Sequence, residues 1–466
     1  MAGLVQSIAC PTSANRRQFL GRSLSSFGAL AFNGILSADS KGAGPPLFPP
    51  RAKSVIYLYM EGGPSQVDTF DPKPLLRKRA GEPLPFETPA TVFNISNKLM
   101  PSPFKFRRYG ESGITISELF PNIARNADQL TVINSMHHGL SNHSAACYFS
   151  HTGDAMAGRP SVGSWLSFGL GSVNDNLPSF VVLDCGQAPS GGSQTWSSGF
   201  LPATHEGVRF REGNTPVEFL NSLDSSKELQ LAKQATIETL YREKIKTRAD
   251  DEQLKSIFAN YRKAARMQVA VPDLLDLTDE SAPTRQLYGV DNPVTQAFGK
   301  QCLIARRLVE AGVRFIEVFS PRVKADRWDQ HNNLKQGHLN NAAAVDQPIA
   351  GLIHDLNARG LLDSTIVLWG GEFGRTPSSQ GSTGRDHNPF GYSVFLAGGG
   401  FRAGYQHGAT DEFGYYAIQG KVHLHDLHAT ILHQMGIDHK RLTYRYAGRD
   451  YRLTDVHGRV VQQLIS

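Results

Sequence analysis

A chain of 466 residues exceeds one simple core and suits a large α/β domain with insertions, or two domains. Its 40% hydrophobic and 19% charged residues are globular values and exclude a disordered chain. The formal charge of +6 includes three arginines and no acid in the first 37 residues, which leaves +3; with no long Lys/Arg run and no basic patch interleaved with aromatics, nucleic acid is not expected as a partner.

Residues 1–37 hold ANRRQFLGRS followed by the weakly apolar run SLSSFGALAFNGIL, and paired arginines before such a run resemble a twin-arginine export signal. The run is shorter and richer in Gly, Ser and Asn than the roughly 20 apolar residues of a membrane helix, so no transmembrane segment is expected in the mature chain. The expected location is periplasmic or extracellular. Beyond Cys10 the cysteines are Cys147, Cys185 and Cys302, with no Cys-x-x-Cys pair, which argues against a disulfide framework or a zinc knuckle.

From residue 50 onward strand-like apolar runs recur: SVIYLYM at 54, LTVINSM at 130, SFVVLDC at 179, RFIEVF at 314, STIVLW at 364 and YSVFLA at 392. Helical spacing marks ISELFPNIARNA, NPVTQAFGKQCLIARRLVEAG and HDLHATILHQMG between or after them. Strands alternating with helices predict an α/β domain over 50–466, with a mostly parallel sheet covered on both faces. The charged stretch at about 215–268 reads as a helical insertion.

Ligands gather at the carboxyl ends of strands in open α/β sheets, and four strand ends here are unusually chemical. After SVIYLYM comes EGGPSQVDTFDPKP with Asp68 and Asp71; after LTVINSM comes HHGLSNHSAACYFSHTG. After RFIEVF comes SPRVKADRWDQHNN with Asp329 and His331. After STIVLW comes GGEFGRTPSSQGSTGRDHNP with Glu372, Arg375, Asp386 and His387, its SSQGSTG reading as a flexible span. Carboxylates and imidazoles are the donors that a divalent metal ion such as Zn²⁺, Mn²⁺, Mg²⁺ or Ca²⁺ accepts. Taken alone, each cluster also suits turns and caps, as Asp386 before Asn388-Pro389 illustrates; their convergence at four strand ends carries the metal reading.

Together the arginine pair, GGPSQVDTFDPKP, SNHSAACYFSHTG, RWDQHNN, WGGEFGRTP, GRDHNPFGYSVFLAGGG and HDLHATILHQMGID resemble an uncharacterised exported, sulfatase-like family grouped with the alkaline phosphatase superfamily. The resemblance implies an alkaline-phosphatase-like fold and metal-dependent hydrolysis of phosphate or sulfate esters. It implies Asp68 or Asp71, Asp329 with His331, Glu372, and Asp386 with His387 as metal residues, and Arg375 facing an anionic ester substrate, a guanidinium fork matching such oxygens. The formylglycine signature of sulfatases is absent. Its nucleophile position falls on His143 with Ser144 beside it, so His143 reads as a nucleophile, a metal ligand or a cap, and Ser144 as an alkoxide nucleophile. The alternatives are a non-catalytic member that binds a sulfated or phosphorylated polysaccharide, and a metalloenzyme of another reaction type.

Overall fold

Runs such as SVIYLY, apolar on both alternating faces, lose water completely only inside a sheet covered on both sides. The computed structural model of the chain describes residues 48–89, 98–186, 189–211, 226–248, 251–323 and 327–466. The arginine pair and apolar run of residues 1–37 lie outside them.

Among the described residues nine strands form the central sheet: β1 (Ser54–Tyr59), β2 (Leu130–His137), β3 (Phe180–Leu183), β4 (Val208–Phe210), β5 (Phe315–Phe319), β6 (Thr365–Gly370), β7 (Tyr392–Ala397), β8 (Tyr405–His407) and β9 (Val422–His423). Their order is β8-β2-β7-β6-β1-β5-β3-β4, with β9 also paired to β2. All pairings are parallel except those of β7, which runs antiparallel to both β2 and β6. The fold is therefore mixed α/β with a mostly parallel sheet, as its sequence implies. The direction of YSVFLA is the exception, because a buried apolar run carries no sign of its polarity.

The longer helices are α1 (His143–Thr152), α2 (Val162–Leu170), α3 (Lys227–Thr247), α4 (Glu252–Leu275), α5 (Gln296–Glu310), α6 (Leu334–Ala358) and α7 (Leu424–Gln434). Alternation along β1 divides the core in two. Ile56 and Leu58 join Leu303 and Leu308 of α5 and Ile349 and Ile353 of α6, whereas Val55 and Tyr57 join Trp165 and Leu166 of α2 and Leu427 and Ile431 of α7. Helix α3 lies in the charged stretch and α4 begins in it and runs on to Leu275; residues 215–225 and 249–250 of the stretch are outside the described set. No helix among the described residues is long and apolar enough to cross a membrane.

Two local expectations are corrected. ISELFPNIARNA is not one helix: Ile114–Ser117 pairs with Phe106–Tyr109, and a 3₁₀ turn follows over Ile123–Gln129. Pro121 disfavours helical backbone at Phe120 and ends any longer run. SSQGSTG is not a flexible span either, because Gly374–Gln380 and Gly384–Asn388 form a largely buried antiparallel hairpin around it.

Candidate metal centre

Three loops and one helix meet beyond the carboxyl ends of β1, β5 and β6. Two glycines make the approach possible. Gly62 (φ +105°) leaves β1 where a Cβ would sit 2.5 Å from the Asp329 amide nitrogen, and at Gly384 a Cβ would sit 1.8 Å from the His331 carbonyl oxygen. The Asp329-His331 loop is thereby clamped between the β1 exit and the hairpin. From a third direction comes α1, started by the Asn142 side chain accepting from Ala145 N, with His143 as its first residue.

His143, Asp329, His331 and His387 thus bring one ligand atom each within 4.8 Å of one another. Each imidazole commits its Nδ1 to an oxygen that only accepts. His143 Nδ1 donates to Glu372 Oε1 at 2.6 Å, His387 Nδ1 to Ser141 O at 2.6 Å, and His331 Nδ1 to the Gln380 amide oxygen. Their Nε2 atoms all face the Asp329 carboxylate: His331 at 2.9 Å and His387 at 3.3 Å from Oδ1, His143 at 3.2 Å from Oδ2. A histidine that donates from Nδ1 carries its lone pair on Nε2. Three lone pairs around an anionic acceptor repel unless a cation or protons lie among them, and imidazoles oriented by carboxylate and carbonyl partners are the support that metal-bound histidines require. The residues fit a metal ion.

Electrostatics agrees. Burial opposes protonation of His143, yet the carboxylates of Asp329 and Glu372 overcome it and push the imidazole up to about 9, so a proton occupies the cluster when no cation does. Burial would raise the Asp329 carboxyl, but His143, His331, His387 and Arg375 hold it far below the usual carboxylate range. Burial drives His387 down to about 4. The Asp329 side chain is 37% exposed and His331 22%, whereas His387 is 3% and Glu372 0%, so the cluster opens to solvent on one side.

Glu372 stands behind His143 rather than among the four converging atoms. Its Oε1 also accepts from Gly62 N at 2.9 Å, while Oε2 is buried without a hydrogen-bond partner. Behind it His138, absent from the sequence reading, donates from Nε2 to the Glu372 carbonyl at 2.6 Å and accepts Leu140 N at Nδ1. Gln380 was also missed, since an amide in a Ser-rich run carries no sequence signal. His138 had one, its place at the end of β2.

The remaining expected residues lie elsewhere. Asp68 is wholly buried against Arg385 (Nε at 2.7 Å) and Ser65 Oγ (2.5 Å), and Asp71 pairs with Lys73 at 2.9 Å and accepts from Thr410. Both turn into the core beneath the hairpin, so neither is a ligand of this cluster. Asp386 Oδ1 accepts the His387 amide at 2.8 Å, outside the four converging atoms. Arg375 is 0% exposed and donates to Gly63 O at 3.1 Å, Arg385 O at 3.2 Å, Gly62 O and Asp329 Oδ1 at 2.5 Å, so it braces the site from inside instead of facing a substrate anion. His143 holds its Nδ1 on Glu372 and aims its Nε2 at the Asp329 carboxylate, within the converging group. Ser144 occupies the next position of α1 and is half-buried.

No curated protein matches this sequence. Among solved structures the chain is similar to the PsFucS1 sulfatase from Pseudoalteromonas sp. (13% identity, 88% of this chain and 71% of that one, TM-score 0.36), to the alkaline phosphatase from the Antarctic bacterium TAB5 (12%, 75% and 92%, TM-score 0.35) and to the lipoteichoic acid synthase LtaP from Listeria monocytogenes (10%, 84% and 74%, TM-score 0.32). Residues 52–465 match the family described as Protein of unknown function (DUF1501), and the chain belongs to that family.

Proposed function

We propose that this protein is a metal-dependent hydrolase of phosphate or sulfate esters, exported by the twin-arginine route to the periplasm or beyond. The observation that carries the metal is the inward aim of three Nδ1-donating histidines at one solvent-reached carboxylate. Three imidazole nitrogens and one carboxylate oxygen favour Zn²⁺, or another borderline ion such as Mn²⁺, over the oxygen-seeking Mg²⁺ and Ca²⁺. When bound, such an ion supplies Lewis-acid activation of a water and of an ester oxygen. The chain's own part is to hold the donor set: Glu372 fixes the His143 ring, Gln380 of the hairpin fixes His331, the Ser141 carbonyl fixes His387, and Arg375 fixes Asp329.

Metal analysis of protein folded in the cytoplasm, followed by aryl phosphate and sulfate assays with each metal, tests the proposal. About one tightly held ion per chain, lost in His331→Ala, is expected. A protein that holds no divalent ion and hydrolyses neither ester class with any metal overturns it. The absence of the formylglycine signature favours a second reading, a non-catalytic member that binds a sulfated or phosphorylated polysaccharide. Polysaccharide binding that survives chelation and His143→Ala, with no hydrolysis, selects that reading.

A further inference from the structure

Residues 444–452, YRYAGRDYR, do interleave tyrosine with arginine, against the expectation from the sequence. They form a hairpin in which Tyr444 faces Tyr451 and Tyr446 faces Arg449, so all four side chains rise from one face. Phe200 lies against that face. Its ring is nearly parallel to Tyr444 (16°, 6.0 Å) and to Tyr446 (14°, 5.1 Å), and 4.9 Å from Tyr451. Tyr446 is 50% exposed and Phe200 half-buried, so the stack offers uncovered aromatic surface to solvent.

Beside Phe200 opens a cleft whose lining includes Asp154, Arg159, Trp165, Arg452 and Asp455. Its polar groups hold one another in place. Arg159 pairs with Asp154 at 2.9 Å and lies 4.5 Å over the Tyr451 ring, Arg449 lies 4.8 Å over the same ring and pairs with Asp455, and Arg452 donates to the Asp455 carbonyl. Ala447 (φ 46°) and Gly448 (φ 84°) close the hairpin. Asp455, one of three non-glycine residues with left-handed backbone among those described, lines this cleft.

We propose that the solvent-facing aromatic stack, with the polar groups of this narrow cleft beside it, binds a pyranose residue of a polysaccharide. Flat aromatic rings match the apolar face of a sugar, and a rim of paired donors and acceptors matches its hydroxyl edge; a small number of fixed polar groups around aromatic surface is the usual make-up of a ligand site. The two carboxylates disfavour nucleic acid, whose phosphates they repel. Thr152 and Gly153, at the carboxyl end of α1, also line the cleft, and His143 starts the same helix. Ten residues at ~1.5 Å each separate the two by about 15 Å. The binding stands independently of hydrolysis at the metal centre.

The test is affinity electrophoresis and calorimetry of the full protein against dextran, xylan, ι-carrageenan and chondroitin sulfate, with a single-stranded oligonucleotide as a further arm. At least one polysaccharide should bind, with Tyr446→Ala weakening it tenfold or more, Tyr446→Phe retaining it, and metal content unchanged in both. Because Tyr446 is exposed, its truncation leaves the core intact; Arg159→Gln should weaken the same ligand. Failure of all four polysaccharides to bind, binding unchanged in Tyr446→Ala, or oligonucleotide as the one ligand lost in that variant each overturns the proposal.

Discussion

Replacing Glu372 by glutamine isolates the role of the group behind the candidate metal centre. The carboxylate is wholly buried, accepts His143 Nδ1 at 2.6 Å and Gly62 N at 2.9 Å, and is one of two negative charges that push His143 up to about 9. Glutamine keeps an oxygen for both donors and nearly the same volume, so the fold should lose only about 1 kcal/mol, the difference between a charged and a neutral hydrogen bond. What it removes is the charge that makes the His143 ring a stronger base. Loss of such a supporting partner typically costs 10- to 100-fold in metal affinity, about 1.4–2.7 kcal/mol. Zinc affinity measured by competition with a chromophoric chelator should fall by that factor, and the His143 resonance of the metal-free variant should titrate lower. Asp68→Asn, far from the converging atoms, should leave the affinity unchanged. Unaltered zinc affinity in Glu372→Gln would refute the assignment, and a loss beyond 1,000-fold would make Glu372 itself a ligand through its unpartnered Oε2.

Arg375→Ala should destabilise the protein by about 1–3 kcal/mol in urea unfolding, because it leaves the buried Gly62, Gly63 and Arg385 carbonyls without this donor; near-native stability with a raised KM for an ester would restore it to the substrate side. Burial holds His138 and His338 down at about 4 and His428 at about 3, whereas the unfolded chain takes up those protons near 6.5. Folded pKa values below unfolded ones mean that this stability is complete above pH 6.5 and is lost as pH falls toward 4, with a slope of about 4 kcal/mol per pH unit for three protons. Urea unfolding at pH 7, 6 and 5 reads it, His428→Asn should remove about one proton from the slope, and a flat profile contradicts it. Ala447→Asn should stabilise by about 0.5–1 kcal/mol, since asparagine tolerates the left-handed backbone that alanine strains to adopt; a lower thermal midpoint would show that Ala447 is not strained.

The sequence by itself determined the central strands of the sheet. SVIYLY, LTVINSM, FVVL, FIEVF, TIVLW and YSVFLA each carry apolar residues on both faces, and only burial between two helical layers satisfies that pattern. It also placed His143, Asp329, His331, Glu372 and His387 at strand or helix ends, where open α/β sheets expose their chemistry. Which of those ends turn outward was decided by tertiary structure alone. Asp68 and Asp329 look equally able to hold a metal in sequence, yet Asp68 is drawn into the core by Arg385, over 300 positions away, while the bare backbone of Gly62 and Gly384 presses Asp329 and His331 into the solvent-facing cluster. Arg375 turns inward for the same reason, because the carbonyls freed by the β1 exit need donors that no neighbour in the chain supplies. Local sequence records which side chains are capable, whereas their direction depends on contacts between segments hundreds of residues apart.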